Sequence, residues 1–432
     1  MKIAVVGAGI SGLSCTYRLV QGGADVTLYE AGAYFGGHSN TVDVTLDGST
    51  FGVDTGFLVF NDRTYPNLIA LFAELGVETA PSDMSFSVKL PLSDGPDAKV
   101  LEWAGGNIDT VFAQRGNLLR PRFLRMVADI LRFNKQATAL ATGSQAMPQV
   151  ALGEFLDKEG YSEQFRAWYL LPMAACIWSC PSDQMLAFPV STFIRFCHNH
   201  GLLQVSDRPQ WRTVRGGSRN YVQKLLAAIP NQRLATPVTS VTRSGVGARS
   251  VRVETADGAE QFDHVVMACH SDQSLGLLAD VRHDERAVLE AVRYQPNRAV
   301  LHTDASCLPA KRKAWSAWNY QSNAAPTPKV CVHYLLNVLQ PLPCTTPVIV
   351  SLNPLDEPDQ ATVLASFDYA HPVFDEGAIA AQQRLATFQG MQGTWFAGAW
   401  TGYGFHEDGL KSGLAVAAAL CALMQSQSDA AA

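Results

Sequence analysis

The residues best suited to chemistry lie near the start of the chain, at Gly7-Ala8-Gly9-Ile10-Ser11-Gly12. Lys2 to Val6 precedes them and reads as a short buried strand. Leu13 to Val20 reads as a helix, and Ala24 to Tyr29 as a second strand ending on Glu30. Strand, glycine turn, helix, strand and acid in this order form the dinucleotide-binding fingerprint. Gly7 permits the sharp turn, Gly9 lets a pyrophosphate approach the backbone, and Gly12 lets the helix pack on the strand. The helix start at Ile10 and Ser11 offers free N–H groups and a partial positive charge to phosphates. Glu30 is placed to accept hydrogen bonds from both ribose hydroxyls, and an acid there disfavours a 2′-phosphate, hence NADP.

Further elements must complete such a site. Thr41 to Val53 alternates in polarity around Asp47-Gly48, a hairpin signal, and leads into Asp54-Thr55-Gly56-Phe57. Asn67 to Leu75 reads as a helix closed by Gly76, and short strands follow from Val77 to Trp103. Ala151 to Met173 and Phe193 to His198 read as helices, with Trp178 to Ser182 a loop between them. Strands are expected at Pro237 to Val241, Val251 to Glu254 and Gln261 to Ala268, and a strand-rich region from Tyr294 to Asp368. A buried strand then ends at Gly398, followed by a loop and a small-residue helix from about Gly409. The fold class is therefore α/β with an α+β second part: a Rossmann-like nucleotide-binding domain (1–76, 204–290 and 390–432) and a discontinuous mixed-sheet substrate domain (77–203 and 291–389).

Composition narrows the function. With 432 residues the chain has ample core for two or three domains. A net charge of −6 argues against a nucleic-acid partner. The nine cysteines are scattered and contain no CxxC, so they read as reduced cytoplasmic thiols. Cys176 and Cys180 sit one helical turn apart with no second pair, and HExxH is absent, so no metal is expected. No signal peptide precedes the first strand, and the apolar run Ala415 to Met424 is too short to span a bilayer.

Residues 115–140 stand out against this acidic background. Arg115, Arg120, Arg122, Arg125, Arg132 and Lys135 face a single acid, Asp129. Leu119, Phe123, Met126, Val127 and Ile130 recur at helical spacing, and Leu124 and Leu131 are expected to widen that apolar face. The stretch is a candidate membrane-facing amphipathic helix or the mouth of an acyl-chain tunnel. An ordinary two-faced domain helix gives the same pattern.

Gly36-Gly37-His38, beyond Glu30 and Ala31, resembles the second glycine pair of FAD-binding flavoproteins of the amine oxidase and phytoene desaturase superfamily. Arg215-Gly216-Gly217-Ser218, the Asp263 to Ala268 strand and the Trp395 to Gly413 segment resemble the same group. The resemblance implies FAD, with Gly7, Gly9, Ile10, Ser11, Gly12, Glu30, Ala31, Gly36, Gly37, His38, Gly56, Val238, Gly398, Asp408, Gly409 and Leu410 as cofactor-binding residues. Val238 would meet adenine through its backbone, and the helix from Gly409 would aim its positive end at the flavin. His38 stands where the group usually has Arg, and is a flavin neighbour, a covalent attachment point or a loop hydrogen-bonding residue. His406 is the candidate catalytic acid or base, because an ordinary histidine pKa of about 6.5 suits that work; the other reading is a residue that shapes the loop. Glu407 and Lys411 are expected at the helix cap and on the helix.

The motifs at 36–42, 199–203, 211–218 and 404–409 resemble a bacterial oxidoreductase branch linked to desaturation of methyl-branched acyl chains on the way to furan fatty acids. That resemblance implies an FAD-dependent enzyme that dehydrogenates an acyl chain of a membrane phospholipid. It implies a lipid or other hydrophobic small-molecule substrate and a cytoplasmic protein at the inner face of the membrane. A flavin amine oxidase and a non-catalytic flavin- or lipid-binding protein are the alternatives. The sequence leaves the oligomeric state open.

Overall fold

The computed structural model describes residues 1–93, 99–178, 185–204, 208–244, 250–323 and 330–431. The expected loop after Trp178, with Cys180, lies outside the described residues.

Two sheets organise the molecule. The first is a five-stranded parallel sheet in the order Asn231–Arg233, Asp25–Tyr29, Lys2–Val6, His264–Met267, Thr394–Phe396. Its three central strands are largely apolar because both faces are covered. Helices pack on one face. On the other, Ala4, Val6 and Val265 share a core with Val241, Val253 and Phe262 of a three-stranded antiparallel sheet. The edge strand Asn231–Arg233 is exposed. Ile3, Val5 and Leu28 pack against Leu13 and Leu19 of helix Ile10–Gln21 and against Leu410, Val416 and Leu420 of helix His406–Ala431. These two helices approach closely. A Cβ on Gly413 would lie 2.2 Å from the Ser11 carbonyl oxygen, and one on Gly12 would lie 1.8 Å from that of Gly7. Only glycine fits at either point.

The second sheet has seven strands in the order Val363–Val373, Arg293–His302, Ile349–Leu352, Val330–Leu335, Trp318–Ser322, Phe86–Pro91, Val100–Ala104. It is antiparallel except between Trp318–Ser322 and Phe86–Pro91. The two sheets are stitched together. The hairpin Thr41–Leu46 and Ser49–Asp54 buries Val44 and Val53 against Leu301, Leu336 and Val350 of the second sheet's layer. Strand Thr79–Ser82 pairs with Trp211–Val214, which also pairs with Phe60–Asn61.

Three sequence expectations need correction. The stretch from Ala151 to Met173 is not one helix. Helix Leu152–Lys158 stops before Gly160 (φ 65°), and the Ser162 side chain caps a new turn at the Phe165 N–H. Residues 166–170 then widen into a π-turn leading into Leu171–Trp178. Second, the basic helix begins only at Pro121, as Pro121–Ala141, after a separate turn at Arg115–Leu119. Its buried stripe is Phe123, Met126, Asp129, Phe133, Ala137 and Leu140. Leu119, Leu124 and Leu131 are exposed beside the arginines instead of joining the apolar face. Asp129 is drawn inward because its carboxylate accepts the Ser162 N–H and pairs with Arg132. Third, the C-terminal helix starts at His406 rather than Gly409. By length and composition it could cross a membrane, but Leu410, Val416, Ala417 and Leu420 are buried in the nucleotide-side core.

Candidate functional site

One cavity of about 750 Å³ runs between the two sheets. At one end its wall is the glycine turn: Gly7, Gly9, Ile10 and Ser11, with Glu30 and Ala31 at the next strand end. Gly36, Gly37, His38, Gly56, Val238 and Gly398 line the same half. The sequence-predicted Gly12, Asp408, Gly409 and Leu410 do not reach the wall. Gly12 packs on the Gly7 carbonyl and Ala268, Gly409 lies in the contact between helices Ile10–Gln21 and His406–Ala431, and Leu410 is core. The Asp408 carboxylate accepts the Phe405 N–H, and burial pushes its pKa up to about 6.

The residues present fit FAD. A Cβ on Gly9 would find nothing within 4 Å, so the space in front of this turn is open to a pyrophosphate. The Glu30 carboxylate accepts the Ala8 and Gly32 N–H groups at 2.9 and 2.7 Å. This fixes its oxygens at the strand end with lone pairs left for a ribose. His38 stacks on Tyr369, with centroids 4.8 Å apart, and its buried Nε2 has no partner among the described residues. An unpartnered buried nitrogen in a cavity wall marks a place where a bound group completes the site.

His406 does not keep an ordinary pKa. Its ring stacks on Phe57, with centroids 3.9 Å apart, and its Nε2 shares a hydrogen bond with the Tyr221 hydroxyl at 2.8 Å. Burial pulls its pKa down to about 3, so the ring is neutral near pH 7 rather than a ready proton donor, and its Nε2 is already engaged by Tyr221. Its neighbour Glu407 does not cap its own helix. It accepts the Asn67 and Leu68 N–H groups and so caps helix Pro66–Leu75, across 340 residues of chain.

The far half of the cavity is lined by Met84, Ile177, Trp178, Leu202, Trp318 and Tyr334, with His200 among them. Glu30 is the one carboxylate in the described wall, and no lysine or arginine lines it. The five wall histidines are all held below their ordinary pKa of 6.5 by burial: His200 and His371 to about 4, His406 to about 3, His38 and His270 in the same direction. Burial also pushes the Cys269 thiol up to about 11, so it stays protonated.

Sequence reading missed three working residues. Asp54 is buried and binds the Thr41 hydroxyl, the Ser218 N–H and hydroxyl, and the Gln340 amide, tying both sheets to the cavity wall. Tyr221 joins His406 to Ser39 by hydrogen bonds. The third is His200. Its Nδ1 lies 3.0 Å from the Phe196 carbonyl oxygen, which can only accept, so Nδ1 carries the proton and Nε2 the lone pair. The string Asn199-His200-Gly201 held the signal for it, a polar pair before a glycine that turns at φ 69°.

Away from the cavity, His302, Cys307 and His333 come together, but every imidazole nitrogen there has a partner. His302 accepts the Asp304 N–H and contacts the Ser351 hydroxyl, while His333 contacts Ser351 and Gln321. That closed chain accounts for the cluster without a metal ion.

Comparison with known proteins bears on this geometry. Residues 10–302 match the family model for flavin containing amine oxidoreductase. The Mycobacterium tuberculosis protein AofH, which carries the name of a flavin-containing monoamine oxidase, is 25% identical over 286 residues, 62% of this chain and 56% of that protein. The chain thus spans about half the length of the curated relatives it matches first. Cyclohexylamine oxidase from Brevibacterium oxydans superposes with a TM-score of 0.66 at 15% identity, covering 98% of this chain and 99% of the other. A fatty acid isomerase from P. acnes that produces CLA gives 0.64 at 16% identity, covering 95% and 96%.

Two outcomes test the site. Glu30→Ala is expected to weaken FAD retention at least tenfold, the scale of a lost charged hydrogen bond, and Glu30→Gln less. Bound flavin per protein, read by absorbance, reports both, and unchanged content would remove Glu30 from the ribose. The histidines set an acid limit. Their folded pKa values lie below 6.5, so between 6.5 and about 4 the unfolded chain takes up protons that the folded chain refuses. The stability they contribute is therefore complete above pH 6.5 and lost as pH falls. Thermal melts from pH 7.5 to 4.5 should show a falling midpoint, less steep in His406→Gln; equal slopes would show that His406 is not buried and neutral.

Proposed function

The chain belongs to the flavin-containing amine oxidoreductase family, with FAD as its cofactor, and from that premise we propose that it is a dehydrogenase acting on a long apolar substrate, an acyl chain of a lipid. The observation that carries this reading is the far half of the cavity, where Met84, Ile177, Trp178, Leu202 and Trp318 form the wall with no carboxylate or cation among the described lining residues. A protonated amine placed there would lose its hydration and meet no counter-ion among the described lining residues, which is costly. A hydrocarbon chain loses nothing by entering. The fold does not choose between the two, since it is shared with an amine oxidase and with a fatty acid isomerase.

FAD, when bound, supplies the two-electron acceptor. The chain's own residues do the rest. Gly7 to Ser11 and Glu30 hold the nucleotide, and the aromatic wall excludes water and aligns the chain. Oxidation of a C–H pair releases a proton as well as a hydride, and His200 Nε2 is the acceptor available in this half of the cavity. Burial holds its pKa at about 4, so above that pH the ring is a neutral, weak base. What distinguishes it from His406 is geometry, since its hydrogen bond uses Nδ1 while that of His406 uses Nε2.

A second reading, amine oxidation, has one observation in its favour. Trp178, Trp318, Tyr334, Tyr403 and Phe405 offer ring faces that attract a cation.

Anaerobic addition of methyl-branched phospholipid to the holoprotein is expected to bleach the flavin absorbance. Simple amines are expected to leave it unchanged. His200→Gln should keep the flavin but slow bleaching roughly a hundredfold, the usual scale of a lost general base. Bleaching by amines with none by lipid would establish the second reading. Bleaching by neither, with flavin tightly held, would indicate a protein that keeps FAD without this chemistry.

A further inference from the structure

The outer face of helix Pro121–Ala141 and the turn before it differ from the rest of the surface. Of the twelve exposed large apolar side chains among the described residues, six lie between Val100 and Leu131. Leu119 is 89% exposed, Leu131 57%, Leu118 48% and Leu124 43%. On the helix, Leu124, Leu131 and Lys135 follow one line at spacings of seven and four residues, with Arg125 beside it and Arg122 in the first turn. Arg122, Arg125 and Lys135 are exposed and have no ion-pair partner among the described residues. The other cations here are engaged: Arg115 with Asp109, Arg120 with Asn117, and Arg132 with Asp129 and over the Tyr161 ring at 3.9 Å.

A protein of net charge −6 thus presents cations without ion-pair partners among the described residues, interleaved with exposed leucines. An ordinary solvated helix face needs the cations but gains nothing from leucines in water. An RNA or an acidic protein would use the charge and leave the leucines uncovered. A bilayer with anionic headgroups uses both, the leucines entering the headgroup boundary and the cations meeting phosphates. We propose that the surface formed by Leu118, Leu119, Arg122, Leu124, Arg125 and Leu131 docks the protein on an anionic phospholipid bilayer. The opposite face of the same helix places Phe133 in one core with Trp178, and Trp178 lines the apolar half of the cavity. The docked face and that chamber therefore belong to one helical layer. This inference rests on the surface alone and stands whether or not a lipid is the substrate.

Flotation of the full-length holoprotein with phosphatidylglycerol vesicles, and with phosphatidylcholine vesicles, is the test. Binding to phosphatidylglycerol that weakens in 0.5 M salt is expected, with little on phosphatidylcholine. Arg122→Glu/Arg125→Glu and Leu119→Asp/Leu124→Asp should each reduce binding by roughly tenfold or more. Both should keep the flavin spectrum and melting temperature, because the substituted groups are exposed. Absent binding by the unaltered protein, or variants that bind as it does, would overturn the proposal, as would equal binding to both vesicles. These outcomes are read without any flavin reduction, so they fail separately from the substrate assignment.

Discussion

The Asp54 carboxylate is the interaction on which the rest of the site depends. It is 1% exposed, and burial pushes its pKa up to about 6 against the pull of its hydrogen-bond donors. A buried carboxylate left unsatisfied is strongly destabilising, so the chain must bring donors to it. Those donors come from three places: Thr41 across the hairpin, Ser218 after the Gly216-Gly217 turn, and Gln340 beside the second sheet. Satisfying one acid therefore fixes the relation of both sheets. The next residues, Thr55 to Val59, leave Asp54 and form the cavity wall at that junction. The Thr55 and Phe57 N–H groups donate to the Asn40 and His38 carbonyls, so His38 is held by the same junction.

Neutrality of the cavity is a second consequence of this closure. Five histidines in one wall would make a strongly cationic chamber if they titrated normally, and their mutual repulsion is among the causes that lower His38. Burial resolves the conflict by keeping them uncharged. Each then serves by shape and by its lone pair: His406 as a ring stacked on Phe57, His38 on Tyr369, His200 on Phe196 with Nε2 free of its proton. The wall decides the chemistry here, since the fold is shared by proteins with different names and substrates.

What the sequence made legible was local. The turn Gly7 to Gly12, its flanking strands and Glu30 form through contacts within about thirty residues, so type and spacing suffice. The C-terminal helix was legible as an element, but not its role for Glu407, which caps a helix 340 residues earlier in the chain. The lowered pKa of His406 is not legible in the sequence for the same reason, because its ring packs on Phe57 and Tyr221, both distant in sequence. Periodicity likewise gave two faces to helix Pro121–Ala141 without saying which would meet the core. The direction was set by Phe123, Met126 and Phe133, and by Asp129 finding the Ser162 N–H, which left Leu124 and Leu131 outside.

Glycine explains why both ends of the chain matter to one cavity. A larger residue at position 413 would strike the Ser11 carbonyl, and one at 409 would come within 2.9 Å of the Ile10 side chain. With hydrogens there, helices Ile10–Gln21 and His406–Ala431 pack at close range, and Ile10 and His406, at their starts, both line the cavity. Two positive helix ends thus converge on the same space from segments almost 400 residues apart. Neither Lys nor Arg lines the described wall, so among the described residues these backbone ends are the source of positive potential for a dinucleotide phosphate. Neutral backbone dipoles supply it without placing a mobile cation in an apolar chamber, which a side chain could not do. The same device lets one cavity hold an anionic cofactor at one end and remain apolar at the other.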